Sequence, residues 1–222
     1  MENEKFNETE NAGATSLSDP LQHKHDYKED FTMKLFRTVE TTADSGYILG
    51  DVITFALTDG EEVEALAVKQ EQDGMVFVFV DCLRKEYPMN QRKRNTNKGG
   101  YEKCTLRKKL NGEILDRFPA ELREKMIAFA NGDLLRLPTE REIFGENPNG
   151  EDEDDSIQQW EVMKNRRNRI AFQRSKTGAW KWYWLQNEVK NPGARFALVS
   201  SGGNATYYSA SCALGVRPAF KI

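Results

Sequence analysis

The sequence predicts an α+β fold, because strand-like and helix-like stretches are segregated along the chain rather than alternating. Three observations carry this expectation. Tyr47 to Cys82 reads as β-prone runs separated by turn residues. Thr105 to Arg169 reads as short helices with identifiable starts and stops. Beyond Thr177-Gly178 the chain returns to short strands and turns.

In chain order, Met1 to Asp30 is rich in Glu, Asn, Thr, Ser and His and poor in bulky apolar residues. Such a segment cannot bury enough surface to offset the entropy of ordering it, so 1–30 is expected to be a disordered or partner-ordered arm. A single folded domain is expected over 31–222. Tyr47 to Leu57 and Val63 to Gln70 read as strands, Gln72-Asp73-Gly74 as a turn, and Met75 to Cys82 as a strand covered on both faces. Together they predict an antiparallel meander. Gln91 to Gly100 is a basic, glycine-ended loop. A helix is expected over Thr105 to Leu110, stopped by Asn111-Gly112. Pro119 opens a second, running to Ala130, with Leu122, Met126 and Phe129 on one face. Thr139 and Glu142 form a capping-box pattern for a third. Asn147 to Asp155 is an acidic loop, and Ile157 to Arg169 suggests a fourth helix with Trp160 and Met163 inward. Strands are then expected at Trp180 to Leu185, Arg195 to Ser201, Thr206 to Ser209 and Gly215 to Ile222.

Composition limits the function classes. Of 222 residues, 38% are apolar and 30% charged, a low apolar share that fits a domain carrying a solvated tail. The net charge of -3, from 32 basic and 35 acidic residues, lacks the basic excess of a dedicated nucleic-acid binder. Arg92 to Lys109 and Lys164 to Arg174 are basic but not interleaved with aromatics, so they read as solvated faces rather than phosphate contacts. The N-terminus lacks the basic and apolar regions of a secretory signal, and no apolar run is long enough to span a bilayer. A location in the cytoplasm, or in a phage virion assembled there, is expected, with no membrane insertion. Oligomeric state is not specified by the sequence.

The chemistry-bearing residues point away from catalysis. The two histidines, His23 and His25, both lie in the arm, so the expected body can build no Ser-His-Asp triad, Cys-His pair or His-based metal site. Cys82, Cys104 and Cys212 are odd in number and form no C-x-x-C pair, signalling neither a disulfide framework nor zinc. Glu151 to Asp155 lacks the alternating ligands of a calcium loop. No cofactor, metal or catalytic residue is therefore expected. Trp180, Trp182 and Trp184 alternate, so a continuous strand would turn all three one way, either as a core stripe or with one at a surface rim. Ser200 to Ser211 (SSGGNATYYSAS) is uncharged and built from Ser, Gly, Asn, Thr, Tyr and Ala. It is either an ordinary exposed hairpin or a contact surface with the palette of antibody paratopes, in which Tyr supplies stiff contact area and Ser and Asn adaptable hydrogen bonds.

Arg136-Leu137-Pro138-Thr139-Glu140-Arg141-Glu142 resembles the R-L-P-T-E-x-E stretch of the formylglycine-generating-enzyme branch of C-type-lectin-like folds. Trp182-Tyr183-Trp184-Leu185, Phe196-Ala197-Leu198-Val199 and Gly215-Val216-Arg217-Pro218-Ala219-Phe220 resemble the ending of bacterial and phage domains of this fold and of the variable proteins of diversity-generating retroelements. In outline the resemblance covers Gly46 to Ile222. It implies a C-type-lectin-like fold with small antiparallel sheets, a few helices and long irregular loops. It also implies a ligand-display segment over 182–222, rewritten at solvent-facing positions by error-prone reverse transcription and presented to a protein or glycan. Ser200, Ser201, Asn204, Thr206, Tyr207, Tyr208, Ser209, Ser211 and Cys212 fit the implied palette, with Asn187, Asn191, Arg195 and Ala197 as further candidates. Gly215 to Ile222 would be the constant end, with Arg217 a structural anchor. The same resemblance leaves two other functions open: an oxidase of the formylglycine type acting on peptide thiols, and a structural protein of a phage particle docked by its arm. Catalytic members of that branch hold copper with a cysteine pair, and Cys212 has no neighbouring partner in sequence.

Overall fold

The computed structural model of the protein describes residues 34–36, 46–91, 95–173, 178–189 and 193–222. The chain divides into units at Asp30–Phe31, and these residues all belong to the second. The expected arm, 1–30, lies outside the described residues.

The architecture is α+β with small antiparallel sheets. Strands β2 (Val52–Ala56), β3 (Glu62–Gln70) and β4 (Met75–Phe79) follow one another as the expected meander, and a further short strand, β1 (Lys34–Phe36), pairs antiparallel with β2. Short helices α1 (Thr105–Lys109), α2 (Ala120–Arg123), α3 (Glu140–Phe144) and α4 (Arg166–Arg169) occupy the middle. A two-stranded ribbon of β5 (Ala171–Phe172) and β6 (Trp180–Lys181) precedes a three-stranded sheet of β7 (Tyr183–Glu188), β8 (Arg195–Val199) and β9 (Ala205–Ser209). The last strand, β10 (Ala219–Lys221), returns to pair antiparallel with β4.

Two apolar cores explain the strand sequences. Met75, Phe77 and Phe79 of β4 and Phe220 of β10 enter the first, and Val76, Val78 and Ala219 enter the second. A strand buried on both faces needs apolar residues at every position, as β4 has. Phe55, Phe77, Phe79 and Phe118 surround Phe220, with Phe77 stacked on it at 5.6 Å. Lys221 closes the terminal strand against the β3–β4 turn, 2.8 Å from Asp73 and 3.2 Å from Glu71.

Two helices differ from expectation. The second is a single turn, because the chain after Arg123 turns aside to dock on β10, where the Ile127 N–H donates to the Lys221 carbonyl at 2.9 Å. Leu122 and Met126 consequently reach the first core, whereas Phe129 packs on the second. The fourth is two short turns, Glu161–Lys164 and α4, separated by extended Asn165. Trp160 and Met163 do point inward. The capping box stands as its sequence implies: the Glu142 N–H donates to Thr139 Oγ1 at 3.2 Å, and the Thr139 N–H to Glu142 Oε2 at 2.9 Å. Gly145 ends α3 in the left-handed region, φ 83°. Among the described residues, no helix is long and apolar enough to cross a membrane.

Candidate recognition surface

The β7–β9 sheet is buried at its centre, and among the described residues no strand pairs with the outer side of β9. Along β8, Phe196 and Leu198 enter the first core while Ala197 and Val199 enter the second, and all four are fully buried. On β7, Trp184 enters the first core, and Tyr183 and Leu185 the second. The outer edge of β7 is covered: the Gly215 N–H donates to the Trp182 carbonyl at 2.9 Å, and the Gln186 N–H to the Pro138 carbonyl at 3.0 Å. The approach at Gly215 needs glycine, since a Cβ there would lie 2.6 Å from Cys82 Sγ and 2.8 Å from the Trp182 carbonyl oxygen. On β9, by contrast, Tyr207 and Tyr208 are 38% and 46% exposed.

The register divides β9 between two faces. Tyr208 pairs with Phe196 and Thr206 with Leu198, which places both on the side of the first core. Tyr207 pairs with Ala197, so it shares the opposite face with Arg195 and Ser209. On the first face Trp182 meets Tyr208 edge-on, ring centroids 6.0 Å apart. On the second the Arg195 guanidinium lies 5.2 Å from the Tyr207 ring centroid. Ser209 Oγ lies 3.0 Å from Asn95 Oδ1 and 3.2 Å from Ser211 Oγ.

The candidate residues are thus distributed unequally. Asn204 is exposed at the β8–β9 turn, which closes through the Ser200 N–H to the Asn204 carbonyl at 2.8 Å and the Asn204 N–H to Ser200 Oγ at 3.2 Å. Arg195, Ser200, Ser201, Thr206, Ser209, Ser211 and Cys212 are half-buried around the same sheet. Asn187 and Ala197 do not belong to this surface. The Asn187 side-chain Oδ1 accepts the Glu140 N–H at 2.7 Å inside the fold, and Ala197 lies on the fully buried strand. Asn191 lies outside the described residues. The tryptophan stripe is also interrupted, because the chain leaves the strand conformation at Trp182, between β6 and β7. Trp184 is therefore core, whereas Trp180, 65% exposed, packs edge-on against Phe172 at 6.3 Å.

Two supporting residues were not legible locally. Asn97 donates to the Val189 carbonyl at 2.9 Å and accepts the Ala194 N–H at 3.0 Å, holding Ala194 at a φ of 66° where β8 begins. Asn95 holds Ser209. Both sit in a basic run that reads as a solvated loop, and their partners are distant in sequence.

Several titratable groups of the fold are buried. Burial pushes the Cys82 thiol up to about 12 and the Cys104 thiol up to about 11, and the two belong to different cores. All three cysteines are free. Among the described residues, no group of three or more His, Cys, Asp or Glu could hold a metal ion. Glu140 is fully buried at the start of α3, and its carboxylate accepts the Gly150 N–H at 2.7 Å, the Asn149 side-chain amide at 3.1 Å and the Asn149 N–H at 3.2 Å. Burial, reinforced by the charge of Glu153, holds this carboxyl above its ordinary value of 4.5 despite those donors. A carboxyl raised in the fold stabilises it fully below the unfolded pKa and loses that contribution as pH rises through the folded value. Glu140→Gln, which cannot ionise, is therefore expected to compare better with wild type near pH ~7 than near pH ~4. Urea denaturation of both proteins at the two pH values measures this, and an identical difference at both would refute it.

No protein-family model, curated protein or solved structure matches this chain.

Proposed function

We propose that the chain is a non-catalytic ligand-recognition protein whose β7–β9 sheet meets a protein or glycan. The carrying observation is the exposure of Tyr207 and Tyr208 on a strand whose inner neighbour, β8, is buried on both faces from Phe196 to Val199. Stiff aromatic contact area is anchored to a core, and Ser, Thr and Asn around it supply adaptable hydrogen bonds. The C-type-lectin-like resemblance and the uncharged palette of 200–211 support the finer reading of a retroelement-diversified variable protein. A reverse transcriptase gene beside a near-copy of the 3′ coding end, differing at adenines, is the expected neighbourhood in the DNA. Cys82 and Cys104 are buried in different clusters of the core, which favours the binding reading over the thiol-oxidase one.

The double variant Trp182→Ala/Tyr208→Ala tests the surface. Both side chains are exposed, so stability is expected to change by under about 1 kcal/mol. Binding to a target selected on glycan and protein arrays is expected to weaken by about a hundredfold, as loss of central aromatic anchors does. A target bound with undiminished affinity by the double variant places recognition elsewhere.

A further inference from the structure

We infer that the free edge of β9 takes up an extended peptide as an added strand, one in which acidic and apolar residues alternate; this rests on reading the β7–β9 sheet as the recognition surface. The hydrogen bonds at both ends of the β8–β9 ladder decide which backbone groups are available. The Ser200 N–H donates to the Asn204 carbonyl and the Ala210 N–H to the Ala194 carbonyl, each at 2.8 Å. Antiparallel pairing alternates from these fixed points, so Thr206 and Tyr208 direct their backbone groups at β8. Ala205, Tyr207 and Ser209 direct theirs outward. The Ser209 carbonyl is taken by the Cys212 N–H at 3.0 Å. The N–H groups of Ala205, Tyr207 and Ser209, and the carbonyls of Ala205 and Tyr207, meet no partner among the described residues.

Exposed edges are normally blunted by lysine, proline, a bulge or an inward charge. Ala205–Ser209 has no charged residue and no proline, and its register with β8 runs without a break. The opposite edge of the same sheet is covered by Gly215 and Pro138. An added strand would bond to the outward groups and alternate its side chains between the two faces. Its residue opposite Tyr207 falls on the face of Arg195, whose guanidinium has no carboxylate partner among the described residues. A carboxylate suits that position. The residues on either side fall on the face of Thr206, Tyr208 and Trp182, where apolar side chains would cover the aromatic pair.

The test uses the full chain and two capped nine-residue peptides, one alternating valine and glutamate, the other valine and lysine. Calorimetry is expected to show saturable binding of the glutamate peptide and binding at least about tenfold weaker for the lysine peptide. Hydrogen exchange is expected to slow at Ala205, Tyr207 and Ser209. Tyr207→Pro removes an outward N–H while leaving the ladder to β8 intact, and should weaken binding roughly tenfold beyond Tyr207→Ala. If Tyr207→Pro does not fold, peptides N-methylated on alternate residues replace it: one methylation pattern must abolish binding and the other spare it. Equal affinities for Tyr207→Pro and Tyr207→Ala, or for both methylation patterns, overturn strand addition but leave recognition by side chains standing. Self-association that Tyr207→Pro abolishes, without peptide effect, overturns the proposal and gives the edge to a second copy. Failure of the glutamate peptide to bind overturns it, and does so in favour of a glycan where chitotriose binds in a manner dependent on Trp182 and Tyr208. Peptide binding indifferent to Trp182→Ala, Tyr207→Ala and Tyr208→Ala overturns both the inference and the reading beneath it.

Discussion

Trp184→Ala is expected to lower the free energy of unfolding by about 4–5 kcal/mol, while Trp180→Ala and Trp182→Ala each change it by under about 1 kcal/mol. The three residues differ in sequence only by position in an alternating stripe. In the fold, Trp184 is fully buried in the first core, and its indole N–H donates to the Tyr87 carbonyl at 2.8 Å. Truncation opens a cavity among residues held by two sheets, which cannot collapse to fill it, and removes one of the two donors to the Tyr87 carbonyl, leaving the Leu214 N–H at 3.2 Å. Trp184→Phe retains most of the packing and is expected to cost about 2 kcal/mol, part of it the lost hydrogen bond. Trp180 and Trp182 are 65% and 38% exposed, so their removal uncovers little. Urea denaturation followed by far-ultraviolet circular dichroism ranks the three. Equal midpoints for Trp182→Ala and Trp184→Ala would contradict the placement of the stripe.

Arg217→Met is expected to cost about 3–5 kcal/mol, although methionine is apolar and the site is almost wholly buried. The guanidinium donates to the Phe79 carbonyl through Nε, to the Asn168 carbonyl at 2.8 Å and to the Tyr183 hydroxyl at 3.1 Å, while lying 5.3 Å from the centroid of the Tyr183 ring. It thereby joins β4, the end of α4 and β7. Methionine fills part of the volume but supplies no donor. The Phe79 carbonyl would then be buried without this partner, at roughly 1–3 kcal/mol, and the part-buried Asn168 carbonyl would lose a donor at smaller cost. Tyr183 keeps its own bond to the Arg169 carbonyl, 2.9 Å, which limits the loss at that point. Arg217→Lys retains the charge but cannot reach three acceptors in different directions from one nitrogen, and is expected to lose about half as much. A melting temperature unchanged in Arg217→Met would show that these carbonyls find other donors.

Patterns set by neighbouring residues were legible from the chain alone. The meander of β2, β3 and β4, the two-sided burial of β4, the capping box of α3 and the inward turn of Trp160 and Met163 all depend on alternation, apolar runs or caps within a few positions. The candidate surface was legible in composition, since Tyr207, Tyr208 and Asn204 are exposed, but not in membership. Asn187 carries the same amide as Asn204, yet it caps the entry to α3 from β7. Ala197 is as small as Ala205, yet it sits in the second core.

Local residue order by itself determined the α+β character, the strands β2 to β4, the cap of α3 and the absence of histidine after His25, because each is a property of composition or short spacing. Only the tertiary structure decided that α2 stops after one turn, that β9 is the last strand of its sheet, and that the stripe of tryptophans breaks between surface and core. The physical reason is the same in each case. These outcomes depend on which distant groups take up a backbone hydrogen bond, such as the Lys221 carbonyl for Ile127, the Gly215 N–H for Trp182 and the Asn97 side chain for Ala194, and such partners leave no periodic mark on the chain that meets them.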